Sequence, residues 1–166
     1  MATVTTSITT KLDKEIANIV KGSSFNKKFI SQTKDITYAD FLSNKMLMIS
    51  VIRLGVPYSL FNLIQDFTPF TDDNWADFLD ISTKSLHRYK QTSRSFKSIQ
   101  SEKIIEMAEV TNVGLEVFGD MEKFKLWIET PSFALGNLKP LDLLRDSYGK
   151  ELVISELTRI NYGILV

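Results

Sequence analysis

From about Asp40 to Gly163 the chain repeats one pattern, in which apolar residues recur every three or four positions and each such stretch is closed by a glycine, a proline or a capping residue. Apolar residues at this spacing line one side of an α-helix, whereas a half-buried strand needs strict alternation of apolar and polar residues. No segment of the chain has a convincing alternation of that kind. The sequence therefore predicts an all-α fold.

Single residues mark where these helices begin and end. Thr71 and Ser82 have side chains that cap helix N-termini, and Pro140 suits the first turn of a helix, where its missing N–H costs nothing. Gly149 is predicted to end the short helix that Pro140 opens, and Gly163 to end the last helix. The last helix is predicted to hold four apolar residues, Leu152, Val153, Leu157 and Ile160.

The N-terminal part has weaker patterns. Residues 1–10 contain five threonines and one serine without an apolar period, which predicts a disordered or loosely attached tail. A short amphipathic helix is predicted from Leu12 to near Gly22, and a single helix is predicted from Asp40 to Leu54. Residues 23–36 are polar and match neither pattern.

Composition excludes several classes of function. The chain of 166 residues has no cysteine and one histidine, which excludes thiolate zinc sites, cysteine nucleophiles and multi-histidine metal sites. It also lacks a glycine-rich phosphate loop, so we expect no metal, no cofactor and no enzymatic activity. No apolar run reaches the ~18 residues of a membrane span and no secretion signal is present. A cytoplasmic protein without membrane contact is expected.

Charge is distributed unevenly along the chain, although twenty basic residues balance twenty acidic ones. Residues 82–103 hold six basic residues against one acidic residue, whereas residues 71–81 hold four aspartates and no base. Residues 104–166 hold ten acidic and six basic residues. One basic stretch in a chain without net charge predicts a single patch that faces DNA.

Two short helices separated by Asp80-Ile81-Ser82 have the spacing of a helix-turn-helix. The residues expected to lock the pair are apolar: Trp75, Phe78, Leu79, Ile81 and Leu86. The outer side of the second helix has hydroxyl, cationic and imidazole groups without a carboxylate, which suits contact with phosphates and base edges. The candidate DNA-binding residues are Thr83, Lys84, Ser85, His87, Arg88 and Lys90. The same residues also fit a solvated basic face on an ordinary helical hairpin.

The C-terminal part carries a dense set of motifs, namely Trp127-Ile128-Glu129-Thr130-Pro131, Leu135-Gly136, Pro140-Leu141-Asp142-Leu143-Leu144, Gly149, Val153, Leu157, Arg159-Ile160 and Gly163. This pattern resembles the toxin-binding domain of the Xre/MbcA/ParS family of bacterial antitoxins. Residues 81–88 are similar to the second helix of that family's helix-turn-helix. The resemblance covers residues 43–166, with Ile128 in place of the usual leucine and Asp146 where a threonine is common.

The resemblance implies an antitoxin of a type II toxin–antitoxin system. Such a protein neutralises a RES or ADP-ribosyltransferase-like toxin that consumes NAD, and it represses its own operon by binding operator DNA. Three parts are expected: a partly disordered extension over 1–42, an Xre-like helix-turn-helix domain over 43–119 and a toxin-binding domain over 120–166. A homodimer that forms a larger complex with the toxin is also expected. A standalone helix-turn-helix transcriptional regulator is the alternative.

The resemblance further implies that the C-terminal end of the chain blocks the active site of the toxin. The expected toxin-binding residues are Leu135, Gly136, Arg159, Asn161, Tyr162, Gly163, Ile164, Leu165 and Val166. From the residues alone, Leu135-Gly136 also fits a plain turn and Arg159 fits a cation that stabilises a helix C-terminus. The apolar tripeptide 164–166 fits packing on its own domain equally well, and Trp127 is expected in the core.

Overall fold

The structure, a computed structural model, describes residues 2–22 and 36–163. Regular structure in these two ranges is helical, apart from one bridge that pairs Ser132 with Leu138. The prediction of an all-α fold is confirmed. The helices are α1 (Ala2–Gly22), α2 (Tyr38–Ser43), α3 (Lys45–Leu54), α4 (Tyr58–Phe67), α5 (Asp72–Phe78), α6 (Thr83–Thr92), α7 (Ser98–Phe118), α8 (Met121–Ile128), the 3-10 turn η1 (Phe133–Leu135), α9 (Pro140–Leu143) and α10 (Ser147–Asn161).

The described chain divides into two compact units, each built from two separate stretches of sequence. Unit 1 takes in the described residues up to Phe67 together with 87–105, and unit 2 takes in 68–86 together with 106–163. Helices α6 and α7 therefore each begin in one unit and end in the other. The three consecutive domains expected from the sequence stay a prediction.

Helix α1 belongs to unit 1, where it packs against α2 and α4. Its apolar face, formed by Leu12, Ile16 and Val20, is buried. The helix begins at Ala2, so the prediction of a tail over residues 1–10 is wrong for the part that the structure describes. Starting a helix is unfavourable, but once a helix is anchored by a buried face, each added residue gains a backbone hydrogen bond. Helix α1 therefore continues through the threonines, although they have no apolar period. Residues 23–35 lie outside the described ranges.

Helices α2 and α3 replace the single helix predicted from Asp40 to Leu54. Asn44 separates them, with an extended backbone at φ −109° and ψ 96°. Its side-chain oxygen accepts hydrogen bonds from the backbone N–H groups of Met46 at 3.1 Å and Leu47 at 3.2 Å. Asparagine competes with the helix for local backbone hydrogen bonds, and here that competition ends α2 and caps α3.

Phe96 anchors the segment between α6 and α7 within unit 1. Its backbone N–H donates to the carbonyl oxygen of Val56 at 2.8 Å, and its ring centroid lies 4.9 Å from that of Phe61. The backbone N–H of Val56 in turn donates to Oγ of the buried Ser101 at 2.8 Å. Gly55 has φ +90°, and a Cβ there would lie 2.4 Å from the carbonyl oxygen of Phe96. Only glycine permits this approach of the two backbones.

Unit 2 contains an aromatic cluster around α8. Phe118, Phe124 and Trp127 have ring centroids 5.7 to 6.4 Å apart. A Cβ on Gly114 would lie 2.3 Å from the ring of Phe124, so this glycine lets α8 pack closely against α7. Trp127 was expected in the core, but it is half-buried at the edge of the cluster, whereas Phe124 and Ile128 on the same helix are buried.

Pro140 begins α9 as predicted, whereas Gly149 does not end it. Helix α9 ends at Leu143, and Asp146 caps α10 by accepting a hydrogen bond from the backbone N–H of Gly149 at 2.8 Å. Gly149 therefore lies in the first turn of the next helix. A Cβ at this position would lie 1.8 Å from the carbonyl oxygen of Leu143. The glycine is needed for a close approach of α10 to α9, and the predicted role as a helix end is wrong.

Candidate functional site

The outer face of α6 carries most of the predicted DNA-binding residues. Thr83, Lys84, His87, Arg88 and Lys90 are exposed. The opposite side of the helix is formed by the buried Leu86 and the half-buried Ser85 and Tyr89. The sequence therefore predicted the exposed side of α6 correctly at five of six positions, while Ser85 is turned partly inward. Whether this face contacts DNA stays a prediction.

The start of α6 is fixed by the turn that precedes it. Asp80 has φ +51°, the left-handed conformation that a glycine usually adopts in such a turn. The backbone N–H of Ile81 then donates to the carbonyl oxygen of Ala76 at 3.0 Å. Oγ of Ser82 accepts a hydrogen bond from the backbone N–H of Ser85 at 3.1 Å, which confirms Ser82 as the cap. The hydroxyl of Ser85 is itself an acceptor for that of Ser82.

Helix α5 is held to this turn by a compact aromatic core. Phe70, Trp75 and Phe78 meet edge to face, with ring centroids 5.1 to 6.0 Å apart. Trp75 is fully buried, and Leu79 and Leu86 are also buried. The apolar residues predicted to lock the two helices are therefore in the core of unit 2, except for Ile81, which is half-buried. Thr71 caps α5 through reciprocal bonds with Asn74, as its sequence position predicted.

The C-terminal half of α6 is held by Tyr89. Its ring stacks on that of Phe96, with centroids 4.2 Å apart and an interplanar angle of 11°. Its hydroxyl is 3.3 Å from Oε1 of Gln100. Because Phe96 is itself anchored to Val56, the direction in which Arg88 and Lys90 leave the helix is set by packed rings and backbone hydrogen bonds. An exposed row of cations on a fixed helix is suited to binding phosphate groups at defined positions.

The predicted pair Leu135-Gly136 lies in a tight turn between α8 and α9. The backbone N–H of Ser132 donates to the carbonyl oxygen of Leu138 at 3.0 Å, which closes the turn at its base. Gly136 and Asn137 have left-handed φ values of +69° and +61°. Leu135 is half-buried and Gly136 is exposed. The turn predicted from the residues alone is confirmed, and a role in toxin binding stays a prediction.

The end of α10 carries the remaining predicted toxin-binding residues that the structure describes. Arg159 is half-buried, and its Nη1 atom lies 2.9 Å from Oε2 of Glu156. Asn161 and Tyr162 are exposed, and Gly163 has φ +68°, the left-handed ending predicted for it. Ile164, Leu165 and Val166 lie outside the described residues. The helix therefore presents polar and aromatic groups at the point where those three residues follow.

Several exposed apolar side chains near these residues were not predicted. Phe133 in η1 is 80% exposed, Tyr148 in α10 is 83% exposed, and Leu152 is 54% exposed. Leu152 is one of the four apolar residues predicted in the last helix, and the buried side of that helix is formed by Gly149, Val153 and Leu157. Adjacent residues of a helix point about 100° apart, so Leu152 and Val153 do not face the same core. The angle between these two residues was the signal that could have identified Leu152 as exposed.

The described residues offer few groups for other chemistry. They contain no cluster of three or more His, Cys, Asp or Glu side chains placed to hold a metal ion. Within the same residues, no helix is both long enough and apolar enough to cross a membrane. An open cavity of about 400 Å³ lies in unit 1, and none of the predicted site residues lines it. Its walls are formed by Thr10, Asp13, Lys14, Ala17, Asn18, Lys21, Ile36 and Thr37.

Comparison with known proteins bears on the C-terminal part of the chain. No curated protein matches the chain. A chain of the crystal structure of the M. tuberculosis MbcT-MbcA toxin-antitoxin complex matches with 23% identity and a TM-score of 0.49, over 74% of this chain and 99% of that one. Residues 114–163 match the model of the antitoxin Xre/MbcA/ParS C-terminal toxin-binding domain. The predictions of an antitoxin and of a non-enzymatic protein agree with this match. The resemblance to the toxin-binding domain of the Xre/MbcA/ParS antitoxins is therefore confirmed over residues 114–163.

Proposed function

We propose that this antitoxin neutralises an NAD-consuming toxin of the RES or ADP-ribosyltransferase-like class and represses the operon that encodes both proteins. The single observation that carries the proposal is the match of residues 114–163 to a toxin-binding domain. The class of toxin comes from the family resemblance of the sequence. The toxin-binding part is acidic in balance, and the basic residues are concentrated in 82–103, so two different partners are expected on two different surfaces.

Inhibition is proposed to occur by occlusion of the toxin's substrate site with residues 159–166. An NAD pocket is concave and combines apolar walls with polar groups that bind anions. The exposed Asn161 and Tyr162 suit the polar groups of such a pocket, and Ile164 and Leu165 suit its apolar wall. The left-handed φ of Gly163 supports the proposal, because a left-handed glycine is a common end of a helix.

Removal of residues 163–166 tests the occlusion. The toxin gene expressed alone is expected to arrest growth, and co-expression of the full chain is expected to restore it. The truncated chain is expected to leave growth arrested, with at least a tenfold rise in the concentration needed to inhibit NAD consumption by the purified toxin. A chain with Lys84→Ala and Arg88→Ala is the control, since it keeps the whole C-terminal part and should neutralise fully. Full neutralisation by the truncated chain would refute occlusion by this segment.

A further inference from the structure

Exposed apolar side chains are concentrated in the segment that matches the toxin-binding domain. Ten large apolar side chains among the described residues are exposed, and six of them lie within 114–163, about a third of those residues. These six are Leu126, Phe133, Leu138, Tyr148, Leu152 and Tyr162. Monomeric proteins expose single apolar residues routinely, but a concentration of aromatic side chains at exposures near 80% indicates a surface that another molecule covers.

One side of α10 organises part of this set. Tyr148 and Leu152 are four residues apart and are therefore neighbours on the helix surface. Arg159 and Tyr162 follow Tyr148 by eleven and fourteen residues, which is close to three and four whole turns of the helix. Both residues therefore lie on the same side of α10 as Tyr148. We call this row, Tyr148, Leu152, Arg159 and Tyr162, the α10 stripe. The buried residues of α10, such as Val153 and Leu157, point away from it.

The N-terminal half of the α10 stripe stands on a well-anchored part of unit 2. Nζ of Lys150 lies 2.9 Å from Oε2 of Glu109 on α7, and both side chains are less than one-fifth exposed. Oγ of Ser147 donates to Oε1 of Glu106 on the same helix at 3.4 Å. Exposed side chains on a helix that is already ordered lose less entropy on binding than side chains on a loose segment.

The turn before α9 carries a further exposed apolar side chain. Helix α10 packs against η1, which carries the 80% exposed Phe133. The turn is closed by the hydrogen bond between Ser132 and Leu138, so Phe133 is also held by ordered backbone. Unit 2 therefore presents exposed apolar groups on two elements that are in contact with each other.

The apolar residues that follow Gly163 do not reach the N-terminal half of the stripe. Leu152 precedes Gly163 by eleven residues, about 16 Å along the helix axis. The three residues Ile164–Val166 span at most about 11 Å when fully extended. A partner that binds both Ile164–Val166 and the surface around Tyr148 would therefore contact two separate places on this chain.

We infer that the N-terminal half of the α10 stripe, Tyr148 and Leu152, together with Phe133, is the surface on which the toxin docks, separately from the segment that occludes its active site. The inference rests on the proposed function. A nucleic acid does not suit this surface, because residues 104–166 carry ten acidic against six basic groups. Tyrosine, phenylalanine and arginine are enriched at the centres of protein interfaces. The toxin is expected to offer an apolar groove that receives one helix side through residues four apart.

Substitution of Leu152 by glutamate tests the docking surface, with the purified toxin from the adjacent gene as the probe. The Kd of Leu152→Glu is expected to rise at least about 30-fold, since a charge then enters the interface. Ile99→Glu is the matched control: Ile99 is 76% exposed in unit 1, outside the matched segment, and its substitution is expected to leave the Kd unchanged. Thermal unfolding of all variants checks that the fold is intact, and Phe133→Ser provides a second substitution on the surface.

The outcomes separate the inference from the proposed function. The chain truncated before Gly163 should still bind the toxin while failing to inhibit it, whereas Leu152→Glu should fail to bind. Wild-type affinity of both Leu152→Glu and Phe133→Ser overturns the docking surface while leaving the antitoxin function intact. A change from dimer to monomer in Leu152→Glu without loss of toxin binding also overturns it, because the stripe then joins two copies of this chain. Failure of the unmodified chain to bind the toxin overturns both.

Discussion

Gly149 illustrates how a single residue fixes the position of the candidate surface. Its missing side chain lets the first turn of α10 approach the carbonyl oxygen of Leu143, from which a Cβ would lie only 1.8 Å away. Both groups belong to the backbone, so no change of rotamer relieves the clash. The place of Tyr148 and Leu152 on the surface of unit 2 depends on this approach.

Gly149→Ala is therefore expected to lower the free energy of unfolding by about 3 kcal/mol or more, in the range of severe steric substitutions. Gly22→Ala is the matched control, because a Cβ at Gly22 meets nothing within 4 Å in an exposed helix end. That control is expected to change stability by less than about 1 kcal/mol, in the stabilising direction. Urea denaturation measures both values. Equal stabilities of the two variants would contradict the close approach.

Tyr38 gives a second prediction for a single residue. Its hydroxyl is buried without a hydrogen-bond partner among the described residues, and burial raises its pKa above the usual value. The unfolded chain therefore ionises first, near pH 10. The contribution of this group to stability is complete below about pH 10 and declines as the pH rises further.

Tyr38→Phe is expected to remove that part of the decline at high pH. At neutral pH it is expected to stabilise the chain by about 1 kcal/mol, because an unpaired hydroxyl no longer has to be buried. Tyr148→Phe is the control, since Tyr148 is 83% exposed. Denaturation between pH 7 and pH 11 measures the effect. The same dependence on pH in Tyr38→Phe and in the wild-type chain would argue against a buried, unpaired phenol.

At the scale of secondary-structure elements, α6 depends on contacts at both of its ends. The Asp80 turn and the Ser82 cap fix its start, and the stack of Tyr89 on Phe96 fixes its C-terminal half. Its outer face then holds the cations in a constant arrangement. This arrangement predicts binding of the DNA upstream of the gene, with phosphate contacts from Lys84 and Arg88.

Lys84→Ala combined with Arg88→Ala is expected to weaken binding to this DNA at least tenfold at moderate salt. The slope of log K against log salt is expected to fall by about two, one unit for each lost phosphate contact. Lys123→Ala combined with Lys139→Ala is the control, because both side chains are exposed cations outside the basic segment. Titrations at several salt concentrations measure the slopes. Equal slopes in both double variants would assign the DNA contacts to another surface.

At the scale of the whole molecule, the sequence predicted the positions of the helices better than it predicted which residues they pack against. Capping hydrogen bonds set the helix starts at Thr71 and Ser82, and the ring of Pro140 suits the first turn of α9. These signals are readable from a few neighbouring residues. The break at Asn44 was missed because the asparagine side chain competes with the helix for the same local hydrogen bonds. The early start of α1 was missed because it follows from the anchoring of its buried face in unit 1.

The candidate surfaces were predicted unequally for a related reason. The outer face of α6 is visible as a group of charges and hydroxyls, so periodicity identifies it. Tyr148 and Leu152 are of residue types that are common in cores. An apolar pattern does not distinguish a helix side that packs in the core of its own chain from a helix side that binds a partner. The long-range pairing of 68–86 with 106–163 has no local signature at all.

Because each compact unit is built from two stretches of chain, a single genetic crossover cannot pass either unit to another protein without part of the other. A crossover at Gly114, where the family match begins, would cut α7 and leave residues 68–86 of unit 2 behind. The hybrid would then join a recipient half-unit to a donor half-unit whose buried side chains had not evolved together. We therefore expect lineages of such antitoxins to change partners by substituting exposed residues, such as Tyr148 and Leu152, on a scaffold inherited whole.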